Sequence, residues 1–303
     1  MVGVGMSLAS TFGAAPAELQ VERMLGRTRA GAAAGLDFLT VGDHHNTAHS
    51  YVQNTPIMGR LVCEWATDSN RPIGCLFLLP LWKPLLVAEH VGTLAAMHPG
   101  RFIVQTGIGW GEGQFRAMGA VFNRRAADLE ESIRVISALF DGQTVSSQRL
   151  GITEASLAMR PQRSVEWWMG AGVDAALERV ARCRASLYVS PGSLEKATDT
   201  MTRFARVCAE RGHQPERVVA RQDVIVADDE ASANRLVNDL FDRGYRGMTP
   251  SDVTFGTVEQ VAERFAELGR AGATDIAVRQ LAVPEEQALR SIELLGHVRR
   301  LLA

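Results

Sequence analysis

No apolar run in this chain of 303 residues reaches the roughly eighteen residues that a membrane span needs. The N-terminal stretch MVGVGMSLASTFGAAP carries no basic segment of the kind that opens an export signal. A soluble, cytoplasmic protein is the expectation. Cysteine is scarce: Cys63, Cys75, Cys183 and Cys208 lie far apart and form no CxxC pair, which argues against structural zinc and against a disulfide framework. An excess of one charge is missing too. With 32 basic residues against 34 acidic ones, interspersed, the formal charge of -2 creates no field to gather nucleic acid or anionic lipid. The expected partner is a small molecule. No internal repeat and no low-complexity segment is visible. What remains, 46% hydrophobic residues and 22% charged ones, suffices to bury a large core.

Short apolar runs alternate with amphipathic segments of helical period. VGVGMSL from Val2 is strand-like, and Pro16 to Ala34 places Leu19, Met24, Leu25 and Ala32 on one helical face before Gly35. DFLTV gives a second strand, and RPIGCLFLLP, apolar to Pro80, a third that is buried on both faces. Pro84 opens a helix through Met97, RFIVQTGIG is the fourth strand, and a helix runs from about Arg124 to Phe140. VEWWMG, ASLYVS and RVVARQDVIVA supply strands five to seven, with DAALERVARC as a helix between the first two. TDIAVRQL is the eighth, after a helix opened by the capping box Thr257-x-x-Gln260 and carrying Val261, Phe265 and Leu268 on one face. Eight strands alternating with helices predict a (β/α)8 barrel in one domain over residues 1–303, with a doubly wound sheet as the alternative. Residues 143–164, after the fourth helix, and 227–255, between strands seven and eight, exceed ordinary loop length and read as insertions, the second as a lid of short helices and turns.

The chemistry concentrates in FLTVGDHHNTAHSY, where His44, His45 and His49 fall within six positions. Asp43, His44 and His45 follow the second strand and so belong at the C-terminal mouth of a barrel, where barrel enzymes keep their active sites. Three readings compete. The residues are a hydrogen-bonded polar turn, or they ligate a metal, or one histidine stabilises negative charge on a bound ring or substrate while Asp43 fixes its tautomer or positions the loop. The metal reading lacks the further Asp and His clusters it requires, because His90, His98, His213 and His297 sit in helical or helix-end contexts.

GDHHN, then GCLFLLPLWKPLLVAEHVGTLAAMHPGRF, then QTGIGWGEGQFRAMG, with Arg125, Leu129 and Glu131 beyond, together resemble the bacterial luciferase-like family of flavin- and deazaflavin-dependent barrel oxidoreductases. GTVEQVAERFAELGRAGATDIAVR near the C-terminus resembles it as well. The likeness covers nearly the whole chain.

The resemblance implies a set of site residues. His44 would face the reacting edge of the cofactor ring as the acid–base group or as a stabiliser of the anionic reduced ring, with Asp43 and His45 beside it. The third strand would support the ring through Cys75, Leu76 and Phe77, with a non-prolyl cis peptide at Cys75-Leu76 or Leu76-Phe77. Gly107, Ile108 and Gly109 would let the backbone approach a flat ligand, although a plain tight turn explains the glycines equally. Trp110 would wall the substrate side or cover the rim. Arg125 would lie near the cofactor phosphate. Arg279, at the end of the eighth strand, faces the same mouth, or else makes an interstrand salt bridge. The phosphate end departs from the family pattern: Gly170, Ala171 and Gly172 replace a Gly-Gly-x-Ser, and Asp174 puts a carboxylate at the pole where backbone N–H groups would bind a phosphate. Either the phosphate leans toward arginines such as Arg125 and Arg160, or binding is weakened.

The resulting expectation is an oxidoreductase using FMN, slightly preferred, or coenzyme F420. With FMN it would be a monooxygenase fed by a separate flavin reductase, and with F420 a hydride-transferring reductase or dehydrogenase. A non-catalytic ligand-binding barrel is the rival. A homodimer or larger homo-oligomer is expected from the resemblance and from the apolar TPIMGRLVCEW and the helix at Pro84.

Overall fold

The structure, a computed structural model, describes residues 1–65 and 70–303. In chain order its elements are β1 (Gly3–Leu8), α1 (Ala17–Ala33), β2 (Leu39–Val41), α2 (Asn54–Trp65), β3 (Ile73–Phe77), α3 (Pro84–Met97), β4 (Phe102–Thr106), α4 (Glu112–Ala117), α5 (Arg125–Phe140), β5 (Val145–Ser147), β6 (Ile152–Ala155), β7 (Glu166–Gly170), α6 (Asp174–Arg182), β8 (Ser186–Val189), α7 (Leu194–Glu210), β9 (Val218–Val226), α8 (Glu230–Asp242), β10 (Thr254–Gly256), α9 (Val258–Arg270), β11 (Asp275–Gln280) and α10 (Glu285–Leu301). β1, β2, β3, β4, β7, β8, β9 and β11 pair in parallel in that order, and β11 returns to β1 with Gly3 opposite Asp275. That last pairing closes the ring. The fold is the (β/α)8 barrel, and a doubly wound open sheet is excluded.

Strand residues of one parity face the helices, and those of the other fill the barrel. Phe38, Ile103, Trp168, Tyr188, Val219 and Ala277 form a cluster of their own inside the ring, with Trp168 edge-on to Phe38 at 5.0 Å. The layer closes because Gly5 has no side chain, since a Cβ there would run into the Phe38 ring. Around it the helices seal the main core. Met58, Leu61, Trp65, Val87 and Val91 of α2 and α3 are at 0% exposure within the single chain, whereas Leu86 and Met97 of α3 are 47% and 49% exposed. Leu19, expected on the buried face of α1, is 36% exposed, and Gln20 is turned inward instead.

The two insertions are ordered elements. Residues 143–164 hold an antiparallel hairpin of β5 and β6. Residues 227–255 hold α8, started by Asp229 accepting from Ser232 N–H at 2.8 Å, and β10, which extends β9 in parallel outside the ring. Val237 and Leu240 of α8 pack on Ile225, Tyr245, Val253 and Leu281. The expected lid of short helices and turns thus shrinks to residues 243–253, because α8 buries an apolar face and belongs to the core. The cis peptide expected in β3 is a further correction. Among the described residues no peptide bond is cis, and β3 runs in unbroken register with β4, Cys75 opposite Val104, Leu76 opposite Gln105 and Phe77 opposite Thr106.

The N-terminal end of the ring is plugged by a network of ion pairs. Arg217 Nη1 donates to both oxygens of Asp275 at 2.8 and 2.9 Å, and its Nε lies 2.8 Å from Glu166. Arg299 holds Asp37 at 2.7 Å. A cavity of about 260 Å³ opens between these groups, but it lies away from the mouth, where barrel chemistry occurs.

Candidate active site

Asp43 is the fastener of the mouth. Its Oδ2 accepts 2.8 Å hydrogen bonds from Leu78 N–H, just beyond β3, and from Trp82 Nε1. At 2% exposure a carboxylate needs such partners. Asp43 therefore positions the loop. His45 turns back toward it, Nε2 3.0 Å from Asp43 Oδ1, without hydrogen-bond alignment at either atom; the contact is an electrostatic approach, and it raises the His45 pKa. The ring also meets the edge of Trp82 at 5.5 Å. Gln114 of α4 donates to the His45 carbonyl at 2.9 Å and clamps the loop from the far side.

His44 points the other way. Its ring stacks on Tyr51 with centroids 4.0 Å apart and planes within 9°, and its buried Nδ1 has no partner. Burial first, then the positive charges of Arg279, Arg246 and Arg221, lower its pKa to about 4, against an opposing pull from Asp43. At neutral pH the imidazole is uncharged, with one donor and one acceptor nitrogen.

Those arginines come from β9, β11 and the segment after α8. Arg279 stands opposite Asp223 in the register of β9 and β11, yet the carboxylate goes elsewhere. Asp223 Oδ1 accepts from Arg221 Nη2 at 2.7 Å, and Oδ2 from Tyr245 OH at 2.8 Å and Arg246 Nη1 at 3.4 Å. The interstrand salt bridge considered for Arg279 is not formed. Burial and the two neighbouring guanidiniums push its pKa down to about 10.

The remaining expected site residues separate into two groups. Cys75 and Phe77 are fully buried and face the helices, whereas Leu76 is partly exposed on the barrel side, its carbonyl held by Asn54 Nδ2 at 2.5 Å. Gly107 and Gly109 leave β4; Gly109 has φ 68°, and a side chain there would press on the Phe115 ring. Trp110 is 87% exposed and walls nothing within the chain. Gly170 ends β7 and Ala171 and Gly172 follow it, with Ala171 buried between two exposed glycines. Asp174 opens α6, but its charge is taken by Arg203 of α7, which also donates to the Gly172 carbonyl. Arg125, at the start of α5, rests its guanidinium 3.8 Å over the Phe122 ring, and its buried Nε has no partner. α5 and α6 are joined by Glu130 and Arg179 at 2.8 Å, and both helices begin on the side of the mouth, α5 following β4 and α6 following β7. Arg160 does not join them. It packs against Gly142, past the far end of α5, about 24 Å down a helix of 16 residues.

A flat cofactor with a phosphate tail suits these groups. His44 would offer an unpartnered nitrogen to the ring and Gly107 room for it, and Arg125, with its Nε unpartnered among the described residues, would meet the tail together with the neutralised start of α6. The sequence reading missed Arg203, Arg221, Asp223, Tyr245 and Arg246. One signal was there for two of them: Arg221 and Asp223 are two apart in an otherwise apolar strand, which puts both charges on one face. Among the described residues no group of histidine, cysteine and carboxylates could hold a metal ion, and no helix is long and apolar enough to cross a membrane.

Comparison with known proteins agrees with the barrel. The family described as luciferase-like monooxygenase matches residues 2–254. An F420-dependent glucose-6-phosphate dehydrogenase of Kribbella flavida is 25% identical over 217 residues, 68% of this chain and 65% of that protein. The match thus spans just under two thirds of the relative. An FMNH(2)-dependent dimethylsulfone monooxygenase of Pseudomonas fluorescens is 25% identical over 183 residues, 59% of this chain and half of the other. The oxygenating constituent of 3,6-diketocamphane monooxygenase from Pseudomonas putida, solved with FMN, superposes with a TM-score of 0.82 at 16% identity over 100% of this chain and 99% of its own.

Proposed function

Because this chain belongs to the luciferase-like monooxygenase family, we propose that it oxidises a small organic substrate with reduced FMN and oxygen in the mouth of the barrel. The observation that carries the reading is His44: neutral, enclosed, stacked on Tyr51 and with a nitrogen left unpartnered. Reduced FMN would supply the electron pair that activates oxygen, and a separate flavin reductase would supply the reduced cofactor. The chain's own residues would do the rest. His44 would hold or pass a proton at the ring edge, Arg125 and the backbone N–H groups of the first turn of α6 would hold the phosphate, and Asp43 would keep β3 and Trp82 in place beside them.

A second reading is hydride transfer with F420. The match to an F420-dependent dehydrogenase favours it. Anaerobic titration with reduced FMN and with reduced F420, followed by mixing with oxygenated buffer, separates the two. The proposal expects FMN to bind the tighter and its reoxidation rate to differ from that of free flavin. F420 binding without FMN binding would move the reading to hydride transfer, and binding of neither would leave a ligand-binding barrel.

A further inference from the structure

We propose that Arg279, Arg246 and Arg221 form an anion subsite between the ends of β9 and β11, and that the substrate is a small organic anion whose charged group rests on Arg279. The word substrate rests on the function proposed above; the anion site does not.

Charge is the first observation. Three guanidiniums surround one carboxylate, and both oxygens of Asp223 are already engaged by Arg221, Tyr245 and Arg246. Arg279 is left with no hydrogen bond and no ion pair among the described residues, although it is half-buried. A guanidinium enclosed beside two others gains most from an anion, and its planar fork suits a carboxylate, sulfonate or phosphate. Arg221 Nε, also buried, has no partner either.

Space is the second. Arg279, Arg246 and Tyr245 line a cavity of about 510 Å³, with Phe12, Tyr51 and Leu281 as its apolar walls. Arg27 on its outer wall is already tied to Glu285 at 2.7 Å. Tyr51 is the residue stacked on His44, so an anion on Arg279 brings its carbon skeleton beside the tyrosine that packs on the imidazole.

Position is the third, because the anion could instead be the cofactor's own tail. The phosphate end at Arg125 and α6 belongs to β4 and β7. In the ring, β4 and β11 are four strands apart, on opposite sides. A cofactor whose tail lies on the β4 side leaves the β11 side to a second anion.

Calorimetry on the cofactor-free protein tests this with pentanoate, pentane-1-sulfonate and pentyl phosphate as probes and pentan-1-ol as the neutral control. At least one anion should bind about tenfold or more tightly than the alcohol. Arg279→Met should lose that margin and Arg279→Lys keep part of it, while the affinity for FMN is unchanged; circular dichroism establishes that both variants fold. No preference for anions, or an equal preference in Arg279→Met, would overturn the proposal. So would an Arg279→Met variant that loses FMN or F420 affinity as strongly as probe affinity, since the arginine would then serve the cofactor tail. Anion binding that depends on Arg279 in a protein that binds neither cofactor would support the site and overturn only the oxidoreductase reading.

Discussion

His44 is held in the uncharged state by its surroundings, and the surroundings can be changed one at a time. Burial is the largest cause of its depressed pKa and Arg279 the next. Arg279→Met should therefore raise the pKa above the present value of about 4 while leaving it below the ordinary histidine range, because burial remains. Proton NMR titration of the ring checks this. An unmoved or lowered value would mean that the two side chains do not share a field. Between the ordinary pKa and the depressed one the unfolded chain takes up this proton and the folded chain does not, so this residue's contribution to stability falls as pH drops through that window. For turnover, His44→Ala in a folded variant should cut the rate by about 100-fold or more. His45→Ala should do less, because that ring is turned to Asp43 and Trp82. Unchanged turnover in folded His44→Ala would remove the acid–base role. The position of Asp43, His44 and His45 at the mouth was legible in the sequence, since they directly follow a strand. The arginine field was not. Arg221 and Arg279 are 58 positions apart, and only the register of β9 on β11 makes them neighbours.

At the scale of elements, the start of α6 shows how a local reading misjudges a charge. In sequence Asp174 opposes a phosphate at the helix pole. In the fold Arg203, about two and a half turns into α7, crosses to it at 2.7 Å. The pair should make substitutions act with opposite sign. Asp174→Ser removes the carboxylate and frees Arg203, so FMN should bind about two- to fivefold more tightly; Arg203→Met exposes the carboxylate, so it should bind weaker by a similar factor. Fluorescence titration of the flavin reads both. If the two variants shift affinity in the same direction, the phosphate is not held at this pole. The strands of the barrel were readable because each is an apolar run with turn residues at its ends. α8 was read as part of a loose lid because its sequence, EASANRLVNDLFD, is mostly polar. Its three buried positions, Ala233, Val237 and Leu240, are enough to dock it, and such sparse faces are resolved only by what they pack on. Residues 243–253, with Gly244 and Gly247 at positive φ, bring Tyr245 and Arg246 to the cavity that Arg279 lines, and limited proteolysis should cut there before α8, less so when a ligand occupies Arg279 and Arg246.

For the whole molecule, the two ends of the barrel divide stability from function, and two arginines test the division. At the closed end Arg217 is the partner of Asp275 and Glu166, which are 5% and 8% exposed. Arg217→Met takes the guanidinium from buried Asp275, leaving it the Thr274 hydroxyl, and leaves Glu166 with Arg101 at 3.6 Å; breaking a buried pair typically destabilises by about 3–5 kcal/mol. At the open end Arg279 has no partner and two like-charged neighbours. A cation whose folded pKa is depressed opposes folding at every pH at which it is charged, so Arg279→Met should stabilise the fold. Urea unfolding should move the midpoint down for the first variant and up for the second. Cofactor binding should survive the first, because Arg217 lies at the opposite end of the barrel, and anion binding should be lost in the second. Destabilisation by Arg279→Met would show that this guanidinium already has its partner within the fold, and the anion subsite would fall with it.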